Sequence, residues 1–195
     1  MKRLLLTLLA VTCISTSVFA SATSDFQAGK KELEAKNFQL ALDYFNSAVK
    51  QNPNYAEAYA EKASVEIVLG KKEEAEASIN KYIQLKPNDT KGYNGRATLY
   101  AFTDRQEKAL EDLNKSVSID SKNYETYNAR ALVLHSLKKK TEAYKDIERS
   151  FEVDPNQPAT YRAKALMELG DRKWISAWLD SRRADRLEQE QKETK

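Results

Sequence analysis

The sequence predicts an all-α fold built from repeated helical hairpins, and three observations carry that expectation. The chain restates one phrase at a fixed interval, its apolar residues recur at helical spacing inside each copy, and no insertion breaks the count. YNGRATLYAF from Tyr93 returns as YNARALVLHS from Tyr127, 34 residues on, and the same step reaches YAEKASVEIV from Tyr59 and YRAKALMELG from Tyr161.

The period fixes the organisation. Steps of 34 connect Ala41, Ala75, Ala109, Ala143 and Ala177, and in parallel Gly29, Ala63, Ala97, Ala131 and Ala165. Tyr59, Tyr93, Tyr127 and Tyr161 form a third series; Pro53, Pro87 and Pro155 form a fourth, with Ser121 where another proline would fall. Units therefore span 22–55, 56–89, 90–123 and 124–157, with a last, degenerate unit and its capping helix over 158–195.

Within a unit the pattern is a helix, a polar turn and a second helix. In the second unit Tyr59, Ala63 and Ile67 lie at i, i+4 and i+8, Gly70-Lys71-Lys72 intervenes, and Ala75, Ile79 and Tyr82 follow. The second helix stops near proline, which has no N–H and restricts the residue before it. The small residues let the two helices approach where they cross.

Residues 1–20 stand apart from this polarity. Lys2 and Arg3 precede the apolar run Leu4 to Val11, and Val18-Phe19-Ala20 ends on a small residue, the pattern of a cleavable secretory signal. The expected location is therefore outside the cytoplasm, in the periplasm of a bacterium. The alternative is acylation of Cys13, making the chain a membrane-anchored subunit of an envelope assembly; Thr12 fits that pattern badly because it is larger than the residue usual there.

Composition excludes several classes of function. Cys13 is the only cysteine, so a chain cut after Ala20 has neither a disulfide nor a thiol nucleophile. Loss of Lys2 and Arg3 leaves 30 basic against 29 acidic residues, a balance that points to neither nucleic acid nor, unless Cys13 is lipidated, a membrane. The one histidine, His135, cannot build a two-histidine metal site, and the five glycines form no phosphate loop. No enzyme and no cofactor are expected.

The agreement in phase of these series closely resembles the tetratricopeptide repeat, which has large residues near position 4 of each unit, small ones at 8 and 20, and proline at 32. The resemblance implies a right-handed α-solenoid of five helix-turn-helix units, working as a protein–protein interaction module or assembly adaptor. It also implies that the first helix of each unit lines a concave groove that takes a peptide or protein segment. Positions 2, 5, 9 and 12 are expected to be open there, including Phe26 in the first unit and, as candidate contacts, Asn94, Thr98, Asn128, Leu132, His135 and Arg162. Asn94 and Asn128 share one phase and could ladder along an extended peptide, or simply face water. The carboxylate-binding set of some family members is matched only at Lys91. Ala41, Ala75, Ala109, Ala143 and Ala177 are expected to be structural. Arg96 and Arg130 are expected to pair with Asp112 and Asp146. Trp174 and Trp178 are read as packing inward under the cap rather than as a partner's anchor. Neither the partner's identity nor the oligomeric state is written in the repeat.

Overall fold

The computed structural model describes residues 21–194 except 172, and of residues 174 and 175 the backbone alone. Residues 1–20, the expected secretory signal, lie outside the described residues, and Cys13 with them. The described chain is all-α: α1 (21–34), α2 (Phe38–Gln51), α3 (Ala56–Val68), α4 (Lys72–Leu85), α5 (Thr90–Phe102), α6 (Gln106–Ile119), α7 (Tyr124–Ser136), α8 (Lys140–Val153), α9 (Pro158–Gly170) and α10 (Trp174–Glu193). They divide into two compact units, one of α1 to α4 ending at Pro87 and one of α5 to α10 starting at Asn88.

Each hairpin closes in the same way. Position 15 of the repeat has positive φ at Lys36 (61°), Gly70 (74°), Asp104 (58°) and Lys138 (64°). That left-handed residue lets the N–H of position 16 reach back to the carbonyl of position 11, as from Lys71 to Glu66 at 2.8 Å and from Lys139 to Leu134 at 2.9 Å. The carbonyls left over at the end of the first helix are thereby satisfied. Only one of the four residues is glycine, so the motif is held by its hydrogen bonds and packing rather than by residue preference.

Between hairpins, a side chain at position 31 accepts from the backbone N–H two residues on: Asn52 from Asn54 at 3.1 Å, Asp120 from Lys122 at 2.8 Å and Asp154 from Asn156 at 3.0 Å. This turn chemistry ends the helix locally, which is why Ser121 can stand in the proline's place.

The recurring alanines lie at the crossings. Ala41, Ala75, Ala109 and Ala143 have no exposed surface and Ala177 retains 2%. In the first unit the core gathers Phe26, Leu42, Phe45 and Val65, with Phe26 only 8% exposed. Position 5 is therefore not an open position here: Phe26 packs its ring 4.9 Å from that of Tyr55, towards the following hairpin. In the second unit, one core joins Ala97, Tyr100, Ala109, Leu113 and Val133, and another Ala131, Leu134, Ile147, Ala163 and Met167.

Candidate binding groove

Cross-hairpin cations rigidify the scaffold beneath the candidate groove. Arg96 donates Nε and Nη2 to the two carboxylate oxygens of Asp112 at 2.8 and 2.7 Å. Arg130 repeats the fork on Asp146 at 2.7 and 2.8 Å and adds Asn114 of α6 at 3.0 Å. Both guanidinium pKa values are raised, first by the hydrogen bond to the aspartate, which outweighs the opposing burial. The same phase holds Lys62 to Ser78 at 2.9 Å and Lys164 to Asp180 at 2.7 Å. At Lys164 burial works against the charge, but Asp180 and then Glu168 raise its pKa on balance. Sequence reading found the two arginines and missed the two lysines, although all four share the spacing of 16 residues.

The amides of Asn94 and Asn128 are engaged between successive hairpins rather than presented as a ladder for a peptide. Asn94 donates Nδ2 to Thr126 Oγ1 at 2.9 Å, and Asn128, 7% exposed, donates Nδ2 to Thr160 Oγ1 at 3.1 Å. Ser116 and Ser150 complete the two clusters, 3.1 Å from Thr126 Oγ1 and 2.9 Å from Thr160 Oγ1. The cause is the stacking itself: the next first-helix covers position 5, as it covers Phe26 in the other unit. Asn128 is thus a joint residue, and its Oδ1 is buried with no partner in the structure.

Position 9 does face outward. Thr98 is exposed and its hydroxyl donates to its own helix at Asn94 O, 2.9 Å away, leaving the methyl for contact. Thr98 and Leu132 share a cavity of 270 Å³ with Ala97, Ala101, Phe102, Leu113, Ala129 and Val133. Leu113 is buried, while Phe102 is 76% exposed. Small side chains at Ala97, Ala101 and Ala129 leave the volume, which no polar residue other than Thr98 enters. Leu166 and Leu169 continue the apolar character at positions 9 and 12 of α9, 59% and 41% exposed.

His135 and Arg162 are held by neighbouring elements. His135 Nε2 lies 3.1 Å from Asp171 Oδ1, which Lys140 also contacts, and the Tyr144 hydroxyl donates to Asp171 Oδ2 at 3.3 Å. The Lys140 hydrogen bond first, and His135 after it, hold the Asp171 carboxyl down to about 2 despite desolvation. Burial, then the Asp171 charge, pushes the Tyr144 hydroxyl up to about 12. Arg162 pairs with Glu188 and with Asp185, the latter at 3.3 Å, so α10 occupies the side of α9 where position 5 of the other hairpins meets its successor.

Trp178 departs from the inward packing expected of it, being 56% exposed, with the Arg182 guanidinium 4.9 Å from its ring centre. The side chain of Trp174 lies outside the description. Among the described residues no group of three or more His, Cys, Asp or Glu side chains could hold a metal, and no helix is long and apolar enough to cross a membrane.

Stacked helical hairpins with rigid crossings and an apolar outer cavity define a helical-repeat protein whose business is contact with other proteins. Models of the tetratricopeptide repeat match residues 32–99, 90–123 and 124–157, and the chain belongs to that family. No curated protein matches the chain. Among solved structures it is similar to a thermophilic TPR protein from Thermus thermophilus, with a TM-score of 0.73 and 19% identity over 84% of this chain and 90% of that one. The Pseudomonas aeruginosa pilF protein gives a TM-score of 0.72 and 19% identity, covering 87% and 78%. YrrB, described as a TPR protein with an unusual peptide-binding site, gives 0.59 and 15%, covering 84% of each chain. At these identities the likeness concerns the fold.

Proposed function

We propose that this chain is a non-enzymatic, exported adaptor that seats a protein or peptide segment against α5 and α7, with an apolar side chain of that segment in the cavity beside Phe102. The observation that carries the reading is the 270 Å³ apolar cavity with a largely exposed phenylalanine among its lining residues. Its volume falls below the roughly 300–1,000 Å³ of sites for free small molecules, which suits one or two side chains of a longer partner. The forks beneath it keep the receptor rigid, so docking costs little ordering on this side.

A benzophenone amino acid at Thr98, expressed in the native cell with a control at exposed Lys115 of α6, tests the groove. A discrete protein adduct from Thr98 alone, weakened at least about tenfold by Leu132→Glu, is the expected result. Equal labelling at both positions refutes it. Export rests on the leader pattern and is read from the mass of the mature N-terminus: a chain beginning at Ser21 supports it, and a diacylated Cys13 replaces it with the anchored form.

A further inference from the structure

The outward face of α10 has a composition that the groove does not explain. On a helical wheel its buried side holds Ala177, Ala184 and Leu187, at 2%, 0% and 5% exposure. Opposite them, within about two and a half turns, stand Trp178, Leu179, Arg182 and Arg186. Trp178 and Leu179 are 56% and 55% exposed, and both arginines are exposed.

Three neighbouring acids are held elsewhere, Asp180 by Lys164 at 2.7 Å and Asp185 and Glu188 by Arg162, while Glu190, one turn beyond Arg186, is exposed. Among the described residues, neither Arg182 nor Arg186 meets a carboxylate. The repeat phase adds a reason for the tryptophan. Trp178 stands at position 21, where Leu110 and Tyr144 pack on the core formed by the following hairpins. At α10 the helix instead runs on to Glu193, and among the described residues no hairpin covers the ring, which is 56% exposed.

We propose that this face of α10 is a second docking surface, for an acidic helical segment of another protein. The segment would lay small apolar residues on Trp178 and Leu179 and carboxylates on Arg182 and Arg186. Charge complementarity selects the acid: Arg182, beside the Trp178 ring, and Arg186 meet no carboxylate among the described residues, and a guanidinium presents a fork that a carboxylate fills. Tryptophan and arginine are also the side chains that dominate interface energetics. A lipid surface fits less well: Trp178 and Leu179 are followed by guanidiniums on the same face, whereas a helix lying in a membrane needs a continuous apolar stripe. The surface is separate from the cavity at Phe102 and does not depend on it.

The test places a benzophenone amino acid at Leu179 of the full chain in its native cell and identifies the joined peptide by mass spectrometry. The expected adduct is to an acid-rich segment predicted to be helical. It falls at least about tenfold when Arg182→Glu and Arg186→Glu are combined, and is unchanged by Leu132→Glu in the groove. Trp178→Ala is read in parallel, with circular dichroism confirming that both variants melt as the parent does. Absence of an adduct, an adduct to lipid or to a second copy of this chain, a joined segment without acids, or indifference to charge reversal each overturns the proposal.

Discussion

Gly29 of α1 and Phe45 of α2 touch so closely that a Cβ on the glycine would lie 2.7 Å from Cε1 and 2.8 Å from Cδ1 of the ring. Elsewhere the glycine's phase holds Ala63, Ala97, Ala131 and Ala165, and the phenylalanine's holds Ile79, Leu113 and Ile147. The larger ring in the first hairpin is thus matched by the loss of a methyl across the crossing.

That relationship reverses the usual effect of a helical glycine. In an open helix Gly→Ala stabilises by about 0.5–1 kcal/mol, but overpacking a crossing costs about 1–3 kcal/mol. Gly29→Ala is expected to destabilise by about 1–2 kcal/mol in denaturant unfolding. In a Phe45→Leu background the same change is expected to be neutral or stabilising. An additive double-mutant cycle would show that the two side chains do not compete for the space.

The left-handed turn gives an expectation of opposite sign at two equivalent positions. Gly70 has φ of 74° and open space around its Cβ direction, so Gly70→Ala adds backbone strain without a clash. A loss of about 1 kcal/mol follows. Lys138 has φ of 64°, and Lys138→Gly is expected to gain about 0.5 kcal/mol, the relieved strain exceeding the greater freedom of the unfolded chain. Thermal midpoints moving the same way in both variants would count against a shared turn geometry.

How much of this was legible follows from what a period can encode. The 34-residue step locates every hairpin and the Arg96 and Arg130 pairs, because these features repeat residue by residue. It did not disclose that Asn94 and Asn128 bond to Thr126 and Thr160: helical phase says which residues share a face, not which face the next hairpin covers. Trp178 has an inward phase, yet among the described residues no hairpin meets its ring, so phase alone misplaced it. Lys36, Asp104 and Lys138 give no compositional sign of their left-handed backbone, since only Gly70 carries the usual residue. The Phe102 cavity arises from small residues on two helices and has no local signature at all.

Asp171 supplies a pH dependence. A free carboxyl of this kind titrates near 3.8 and this one at about 2, so between those values the folded chain holds fewer protons than the unfolded one. Its contribution is complete above about pH 4 and is lost as the pH falls through about 2. Asp171→Asn has no such carboxyl to titrate, so its deficit in thermal midpoint is expected to be greatest above about pH 4 and to shrink below it. A deficit that stays constant down to about pH 2 would mean that the Lys140 and His135 contacts do not favour the ionised carboxylate.

The Arg130 fork on Asp146 separates net stabilisation from the cost of breaking a pair. The side chains retain 19% and 10% of their exposure, so neither charge can simply return to water when its partner is removed. Arg130→Met removes both hydrogen bonds of the fork from Asp146 and also frees Asn114, whose Oδ1 accepted from Nη1 at 3.0 Å. A fully buried pair broken in this way costs about 3–5 kcal/mol; partial solvent screening here lowers the expectation to about 1–3 kcal/mol. Removing both charges as Arg130→Met with Asp146→Leu should recover most of that loss, because two apolar side chains need no partner. Urea unfolding of the two singles and the double measures this directly. If the double variant is as unstable as the sum of the singles, the fork is required for the crossing of α7 and α8 itself, beyond neutralising a buried acid.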